Sequence, residues 1–143
     1  MELSLRAWAP NFGSLGRILG GELDDRLHGD WRVYQAASVR ATLDDDNVHA
    51  WVAETTEVIG FVAATANHQR LLGEIVMLAV DPGCQDRGVG TALTELATGW
   101  LRDCGMRVAM IGTGGDEGHA AARRVYAKAD YTVVPMARYF KAL

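Results

Sequence analysis

A glycine-bearing loop between a strand-like segment and a helical segment is the part of this sequence best suited to chemistry. The run from Glu74 to Val80 reads as a hydrophobic strand, Asp81-Pro82 ends it, and Gly88 and Gly90 open an apolar, helix-periodic segment. At such a junction backbone N–H groups and the positive end of a helix dipole face outwards, and glycine lets an anion approach closely. The pattern predicts a site for a phosphate or diphosphate.

Two familiar phosphate loops do not fit this segment. No Lys-Ser or Lys-Thr follows Gly90, and Leu93 stands where a dinucleotide-binding loop would carry a third Gly or Ala. What remains is Gln85-x-x-Gly88-x-Gly90, which resembles the Q/R-x-x-G-x-G/A signature of the GNAT superfamily of N-acetyltransferases. A plain strand–helix connection without a ligand is the alternative reading of the six residues alone.

A second segment, from Ala120 to Tyr131, strengthens the resemblance. It is similar to the family's A-x-x-x-Y-x-K-x-G-F helix, with Ala122, Tyr126 and Lys128 in register, although Asp130 replaces the usual Gly and Tyr131 the usual Phe. The two motifs occur in the family's order and cover about the C-terminal half of the chain. The resemblance implies an acetyltransferase fold that binds acetyl-CoA.

The resemblance also assigns cofactor contacts. Leu78 and Val80 would pair with the pantetheine arm through their main chain. His119 stands where the family often has an Asn that contacts the same arm. The loop and the helix start would hold the diphosphate, through Gln85, Arg87, Gly88, Val89, Gly90 and Thr91. The 3′-phosphate could be met by basic residues of the second motif, which are otherwise solvated: Arg123, Arg124 and Lys128.

Two residues are candidates for proton transfer. Tyr126 borders the buried stripe of its helix, and a phenol suits donation to a departing thiolate. An ammonium with a pKa near 10 is only about 0.1% neutral at physiological pH, so the acceptor needs a base. Glu74 stands eleven residues before Gln85, like the catalytic glutamate of histone-type members of the superfamily. The alternatives are core packing for Tyr126 and, for Glu74, a solvated strand residue, with a water chain or another carboxylate as base.

Composition fits one globular domain, residues 1–143. The net charge of -4 and the lack of a basic stripe argue against nucleic acid as a partner. Neither spacing nor context of Cys84 and Cys104 suggests a disulfide or a metal site, so we expect no metal. No apolar run reaches membrane-spanning length, and the first residues do not begin a signal peptide, so a cytoplasmic location is expected. A homodimer is left open.

Hydrophobic periodicity predicts an α/β chain in the order β-α-α-β-β-β-α-β-α-β(β). The expected fold is a single GNAT-like domain, with a mixed, mostly antiparallel central sheet flanked by helices on both faces. Met106–Ile111 is expected to be a buried strand. The other expected strands are Leu3–Trp8, Val48–Glu54, Val58–Ala66, Leu72–Val80 and a closing segment within Tyr131–Lys141. The expected helices are a glycine-interrupted one from Asn11 to Leu27, Trp31 to about Leu43, Val89 to about Cys104, and one around Tyr126.

The sequence therefore predicts an N-acetyltransferase in which a primary amine attacks acetyl-CoA directly. Two other classes stay open: a non-catalytic acyl-CoA-binding or regulatory module of the same fold, and a plain α/β binding domain. The sequence indicates little about the binding site for the acceptor. Three aromatic residues could line an acceptor pocket or simply pack in the core: Trp31, Tyr34 and Trp51.

Overall fold

A computed structural model describes all residues from Met1 to Leu143. Three helices come first, then three strands, a helix, a short strand and a last helix. The helices are α1 (Glu2–Leu19), α2 (Gly21–His28), α3 (Trp31–Leu43), α4 (Val89–Asp103) and α5 (Ala120–Lys128), and the strands are β1 (Val48–Glu54), β2 (Val58–Asn67), β3 (Leu72–Val80) and β4 (Val108–Ile111). No helix combines the length and the hydrophobicity needed to cross a membrane.

The four strands form one sheet in the order β1-β2-β3-β4. The β1–β2 and β2–β3 pairs are antiparallel, whereas β3 and β4 run parallel. The mixed, mostly antiparallel sheet predicted from the sequence is thus confirmed. The predicted bounds of β1 and β3 are confirmed as well, and so is the start of α3, where the Asp30 side chain caps the helix by accepting from the Arg32 N–H.

One face of the sheet packs against α4 and holds the main core. Leu93, Ala97 and Leu101 of the helix are at most 4% exposed and pack against Val62 of β2 and Ile75 of β3. The close approach of helix and sheet depends on a glycine, since a Cβ added at Gly73 would overlap the Leu101 side chain. The amphipathic spacing of α4 in the sequence therefore positions the helix whose first turn follows the glycine loop.

The other face is covered by α1 and α3. Trp8 of α1 meets Phe61 of β2 edge to face, with ring centroids 6.0 Å apart. Val39 of α3 is 2% exposed. Because Phe61 and the core residue Val62 alternate along β2, helices lie on both faces, as the sequence predicts.

The prediction that Leu3–Trp8 is a strand is wrong, because these residues form the start of α1. Leu3, Leu5 and Ala7 alternate with Ser4 and Arg6, which imitates a strand over six residues. Apolar residues continue at helical spacing beyond Trp8, and this longer pattern outweighs the alternation over six residues. The predicted glycine interruption is confirmed at Gly20, where φ is 78° and α1 gives way to α2.

The predicted closing strand within Tyr131–Lys141 does not form either, since no residue after Lys128 has regular secondary structure. As a consequence β4 has no neighbour on its outer side and is not the buried strand that its apolar sequence predicts. Val108 is 58% exposed and Met110 is 43% exposed. An apolar run alone does not tell a central strand from an uncovered edge strand.

Candidate active site

The two parallel strands separate after a short paired stretch. Residues Leu72–Ile75 of β3 pair with Val108–Ile111 of β4, where β4 ends, while β3 continues to Val80. The last five residues of β3 therefore have no strand on that side. Their main-chain N–H and C=O groups border an opening into which an extended ligand can fit as an additional strand would.

The glycine loop leads directly into the first turn of α4. Gly88 has φ of 83° and Asp86 has φ of 59°, both in the left-handed region. The first bond of the helix runs from the Ala92 N–H to the Gly88 carbonyl at 2.9 Å. The N–H groups of Val89, Gly90 and Thr91 thus have no partner within the helix, which is the arrangement that an anionic group requires.

Gly90 has a packing role besides the one predicted from the sequence. A Cβ built on Gly90 would lie 3.3 Å from Val125 of α5 and 3.6 Å from Val80 of β3. The residue therefore lets α4, α5 and β3 meet tightly beside the loop. A bulky substitution there would disturb this packing as well as any phosphate site.

A charged contact ties α1 to the end of β3. Arg6 Nη2 lies 2.5 Å from Asp81 Oδ2, and Asp81 Oδ1 accepts from the Gly83 N–H at 3.0 Å. Hydrogen bonding from the Arg6 guanidinium, and then from the Gly83 N–H, holds the pKa of Asp81 below its ordinary value. The ionised Asp81 thus fixes the turn that precedes the glycine loop.

A groove of about 920 Å³ runs between β3, the glycine loop, α5 and α1. Of the residues predicted to contact the cofactor, it is lined by Leu78, Val80, Gln85, Gly88, Gly90 and Thr91. It also contains more cationic than acidic side chains: Arg17, Arg124 and Lys128 against Asp86 and Glu117. Its size, its unpaired main chain and its cations are compatible with a long phosphate-bearing ligand.

A smaller cavity of about 220 Å³ adjoins this groove. Six residues line this cavity but not the groove, and they come from α1, α3, the segment after β4 and the turn before α5: Phe12, Leu15, Gln35, Gly112, Thr113 and His119. The residues that line both spaces are Trp8, Asn11, Leu78, Ala122 and Tyr126. The groove and the smaller cavity thus meet where β3, α5 and α1 come together.

Tyr126 lies at this meeting point and is largely removed from solvent. Burial, reinforced by the neighbouring Tyr131, raises the pKa of Tyr126 to about 12. The phenol is therefore neutral over the whole range in which enzymes work and always has a proton to donate in a hydrogen bond.

Three residues predicted for the site lie outside both spaces. Arg87 and Val89 do not line the groove, and Val89 packs against the core instead. Glu74 lies in the paired part of β3, opposite Thr65 and Met110, and lines neither space. It precedes Leu78 by four residues, or about 13 Å along a strand.

His119 lines the smaller cavity and forms a pair with a residue that the sequence reasoning missed. Its Nδ1 lies 2.5 Å from Asp116 Oδ1. The spacing Asp-x-x-His was a visible signal, because residues three apart face each other across one turn. Arg123 does not point to the groove, since its Nη1 donates to the carbonyls of Gly114 and Asp116, both at 2.6 Å.

The aromatic residues considered for an acceptor pocket lie outside the two spaces. Trp31 stacks on Phe12 at 4.9 Å, and Tyr34 is 49% exposed. Trp51 packs against Trp100 on the α4 face of the sheet. Phe12, on which Trp31 stacks, is the aromatic residue of this cluster that lines the smaller cavity.

Comparison with known sequences gives one consistent result. Residues 17–131 match the model of the acetyltransferase (GNAT) family. A mycothiol acetyltransferase of Amycolatopsis mediterranei is 30% identical over 118 residues, which are 72% of this chain and 38% of the relative. A mycothiol acetyltransferase of Streptomyces avermitilis is 33% identical over 100 residues, or 64% of this chain and 32% of that protein. The chain thus spans less than two fifths of the length of these relatives.

Comparison with solved structures supports the same fold. The aminoglycoside N-acetyltransferase AAC(6')-Iy in complex with CoA superposes with a TM-score of 0.61 at 19% identity, over 79% of this chain and 90% of that one. A putative streptothricin acetyltransferase from Bacillus anthracis in complex with acetyl coenzyme A gives a TM-score of 0.53 at 24% identity, over 62% of this chain and 50% of that one. At these identities the likeness concerns the fold alone. On the strength of the family match over most of its length, the chain belongs to the acetyltransferase (GNAT) family.

Proposed function

We propose that this protein is an N-acetyltransferase that moves the acetyl group of acetyl-CoA to a primary amine by direct attack. The observation that carries the proposal is the junction of two spaces at Leu78 and Tyr126. The long groove suits the cofactor and the smaller cavity suits the amine. The thioester would then lie where the two reactants meet, which lowers the entropic cost of bringing them together.

Each part of acetyl-CoA has a matching surface in this proposal. The diphosphate lies against the N–H groups of Gly90 and Thr91, and the pantetheine arm pairs with the main chain of Leu78 and Val80. A backbone N–H of the same strand polarises the thioester carbonyl, as in an oxyanion hole. The cations beside the groove, Arg17, Arg124 and Lys128, are available for the 3′-phosphate.

Tyr126 assists the departure of the thiolate. Its high pKa makes full proton transfer to sulfur in the ground state unfavourable, so the phenol acts by donating a hydrogen bond that strengthens as charge develops on sulfur. No covalent acyl-enzyme is part of the mechanism, because neither Cys84 nor Cys104 lines the groove or the smaller cavity. Glu74 stays a prediction as general base.

The size of the smaller cavity favours a compact acceptor or one that inserts an aminated arm. The relatives are named mycothiol acetyltransferases, and a protein of similar fold is named an aminoglycoside N-acetyltransferase. We infer that the acceptor is a primary amine carried by a polar small molecule. We further infer a cytoplasmic location, where acetyl-CoA is available. No metal is part of the proposal.

A panel of primary amines, assayed by thiol release from acetyl-CoA, tests the proposal. Amine-dependent release supports an enzyme. Binding of acetyl-CoA with no release for any amine supports the second candidate, a non-catalytic acyl-CoA-binding module. The observation that favours this second candidate is the position of Glu74 outside both spaces.

The homodimer stays a prediction. The segment after α5 exposes Val133, Val134 and Met136 by 74–88%, and β4 has an unpaired edge. We propose that this segment pairs with β4 of a second copy, because an exposed apolar segment without regular secondary structure can pair with an open strand edge. Light scattering at micromolar concentration should give twice the chain mass, and Met136→Ser should shift the protein to monomer. A wild-type monomer would contradict the pairing.

A further inference from the structure

His119 and Asp116 form an oriented acid–base pair on the wall of the smaller cavity. His119 Nδ1 lies 2.5 Å from Asp116 Oδ1, and the two side chains are only 17% and 7% exposed. An ionised carboxylate only accepts hydrogen bonds, so Nδ1 is the nitrogen that carries the proton towards Asp116, and in the neutral imidazole Nε2 is the nitrogen with the lone pair. The ring makes no other hydrogen bond within the protein, which leaves Nε2 available to a ligand.

The surrounding turn fixes this orientation. Asp116 Oδ2 accepts from the Gly118 N–H at 3.2 Å, and the same N–H lies 3.3 Å from Ser14 Oγ of α1. Burial alone would raise the pKa of Asp116, but hydrogen bonds from the Ser14 and His119 side chains outweigh it and hold that pKa below its ordinary value. The imidazole also packs on Gly114, where a Cβ would lie 2.6 Å from Nδ1.

The position of the ring separates the acceptor side from the cofactor side. His119 lines the smaller cavity but not the groove, whereas Tyr126 lines both. The charged or titratable groups near the ring are Asp116 on its own turn and Arg123 and Tyr126 on α5. The elements facing it from α1, α3 and β3 contribute uncharged side chains to the cavity: Trp8, Asn11, Phe12, Leu15, Gln35 and Leu78.

We propose that His119 is the general base for the acceptor amine, with Asp116 as its positioning residue. The inference rests on the proposed function and deepens it. It replaces the pantetheine contact that the family resemblance implies for His119. It also removes the need for Glu74, which lines neither space and lies four residues before Leu78, or about 13 Å along β3.

His119 Nε2 takes one proton from the ammonium, and the imidazolium is stabilised by the Asp116 carboxylate. The nitrogen lone pair then forms the C–N bond, and the electrons of the C–S bond leave with sulfur. The nitrogen loses a second proton as the amide forms. One of the two protons protonates the thiolate of CoA, and the other is released to solvent when His119 returns to its neutral form.

Three measurements on His119→Gln test the proposal, with His68→Gln as matched control. His68 is an exposed histidine of the β2–β3 turn and lines neither space. For His119→Gln we expect kcat at neutral pH to fall about 100-fold, the acidic limb of the kcat profile to disappear, and the Kd of acetyl-CoA to stay unchanged. His68→Gln should match wild type in all three.

A second comparison separates a base from a structural residue. The deficit of His119→Gln should shrink for an acceptor with a low pKa, such as hydroxylamine, because that amine is already neutral. Asp116→Asn should lower kcat as well, because the asparagine no longer orients and stabilises the imidazolium of His119. Nitrogen-15 NMR of labelled wild-type protein should show the Nδ1-protonated tautomer of His119, and Asp116→Asn should lose it.

The possible outcomes differ clearly. If the acidic limb persists in His119→Gln and disappears in Glu74→Gln, the base is Glu74 and the inference is wrong. A raised Kd for acetyl-CoA in His119→Gln, with an unaltered pH profile, would show that His119 contacts the pantetheine arm and is not the base. If wild-type protein acetylates an amine and His119→Gln does so equally fast, the inference alone fails. If wild type acetylates no amine, the proposed function fails and the inference falls with it.

Discussion

Leu78 of β3 and Tyr126 of α5 line both the groove and the smaller cavity, and they mark the place where the two spaces join. One lies in the part of β3 that has lost its partner strand, and the other lies on the helix that follows the separated β4. The separation of two parallel strands therefore creates the groove and also brings the phenol to its inner end.

Binding of acetyl-CoA should stabilise the protein, because the groove and the N–H groups of the α4 start gain a partner. At about 100 times its Kd, the ligand should add about 2.7 kcal/mol to the free energy of unfolding, measured by thermal shift or denaturant titration. Ala121→Trp should reduce this stabilisation, because Ala121 is exposed on the α5 wall of the groove.

Ala127→Trp is the control for that variant. Ala127 is also exposed on α5 but lines neither space, so acetyl-CoA should stabilise the Ala127→Trp variant as much as wild type. Equal stabilisation of both tryptophan variants would show that the cofactor lies elsewhere.

Tyr126→Phe should lower turnover about 100-fold and leave the affinity for acetyl-CoA unchanged, because the ring stays and only the hydroxyl is lost. Steady-state kinetics at saturating amine, together with a direct binding titration, checks both parts. Turnover equal to that of wild type would make Tyr126 a packing residue, the alternative that its sequence left open.

The same phenol should affect stability at alkaline pH. In the unfolded chain it ionises near pH 10, whereas the fold raises the pKa of Tyr126 to about 12. The folded state therefore holds a proton that the unfolded state loses, so the free energy of unfolding falls between pH 10 and 12 by about 2 to 3 kcal/mol. Denaturant titrations at several pH values should show a shallower fall for Tyr126→Phe. Tyr139→Phe, at a residue 93% exposed, should behave like wild type.

Gly73→Ala should destabilise the protein by about 1 to 3 kcal/mol, because the new methyl group would overlap Leu101 where α4 crosses β3. Gly99→Ala is the matched control on α4. A Cβ there meets nothing within 4 Å, so alanine should be neutral or stabilising by up to about 1 kcal/mol. Equal midpoints for the two variants in urea would contradict the close packing of α4.

The central elements of the fold were predictable from the sequence because their signals are local. Alternating or continuous apolar residues indicate β1 to β3, Asp30 caps α3, and the spacing of Val89, Leu93, Leu96 and Trp100 indicates α4. The buried face of α4 is turned slightly from that prediction, since Leu93, Ala97 and Leu101 are buried and Leu96 is 48% exposed. The first helix was not predictable in the same way, since Leu3–Trp8 satisfies a strand period and a helix period equally well. The longer pattern through Phe12 and Leu15 decides in favour of the helix.

The parts of the candidate site that lie within one segment were predictable from a motif, as for the loop around Gly88 and Gly90 and the helix around Tyr126. The parts that form where distant segments meet were less predictable. The approach of α1 to the groove is a tertiary contact, in which Arg6 reaches Asp81 across 75 residues. The same is true of the smaller cavity around His119, whose walls come from α1, α3, β3, the segment after β4 and the region from His119 to Tyr126.

Transfer of an isotopic label is the most direct test of the central claim, direct attack of an amine on acetyl-CoA. The wild-type protein is mixed with acetyl-CoA carrying carbon-13 in its acetyl group and with an amine selected from the panel, and product and protein are followed by mass spectrometry. We predict that the label appears on the amine nitrogen, in proportion to the CoA thiol released, and that no labelled protein accumulates at any time. Labelled protein that precedes labelled product would contradict direct attack, and acetyl-CoA that stays intact with every amine would contradict catalysis itself.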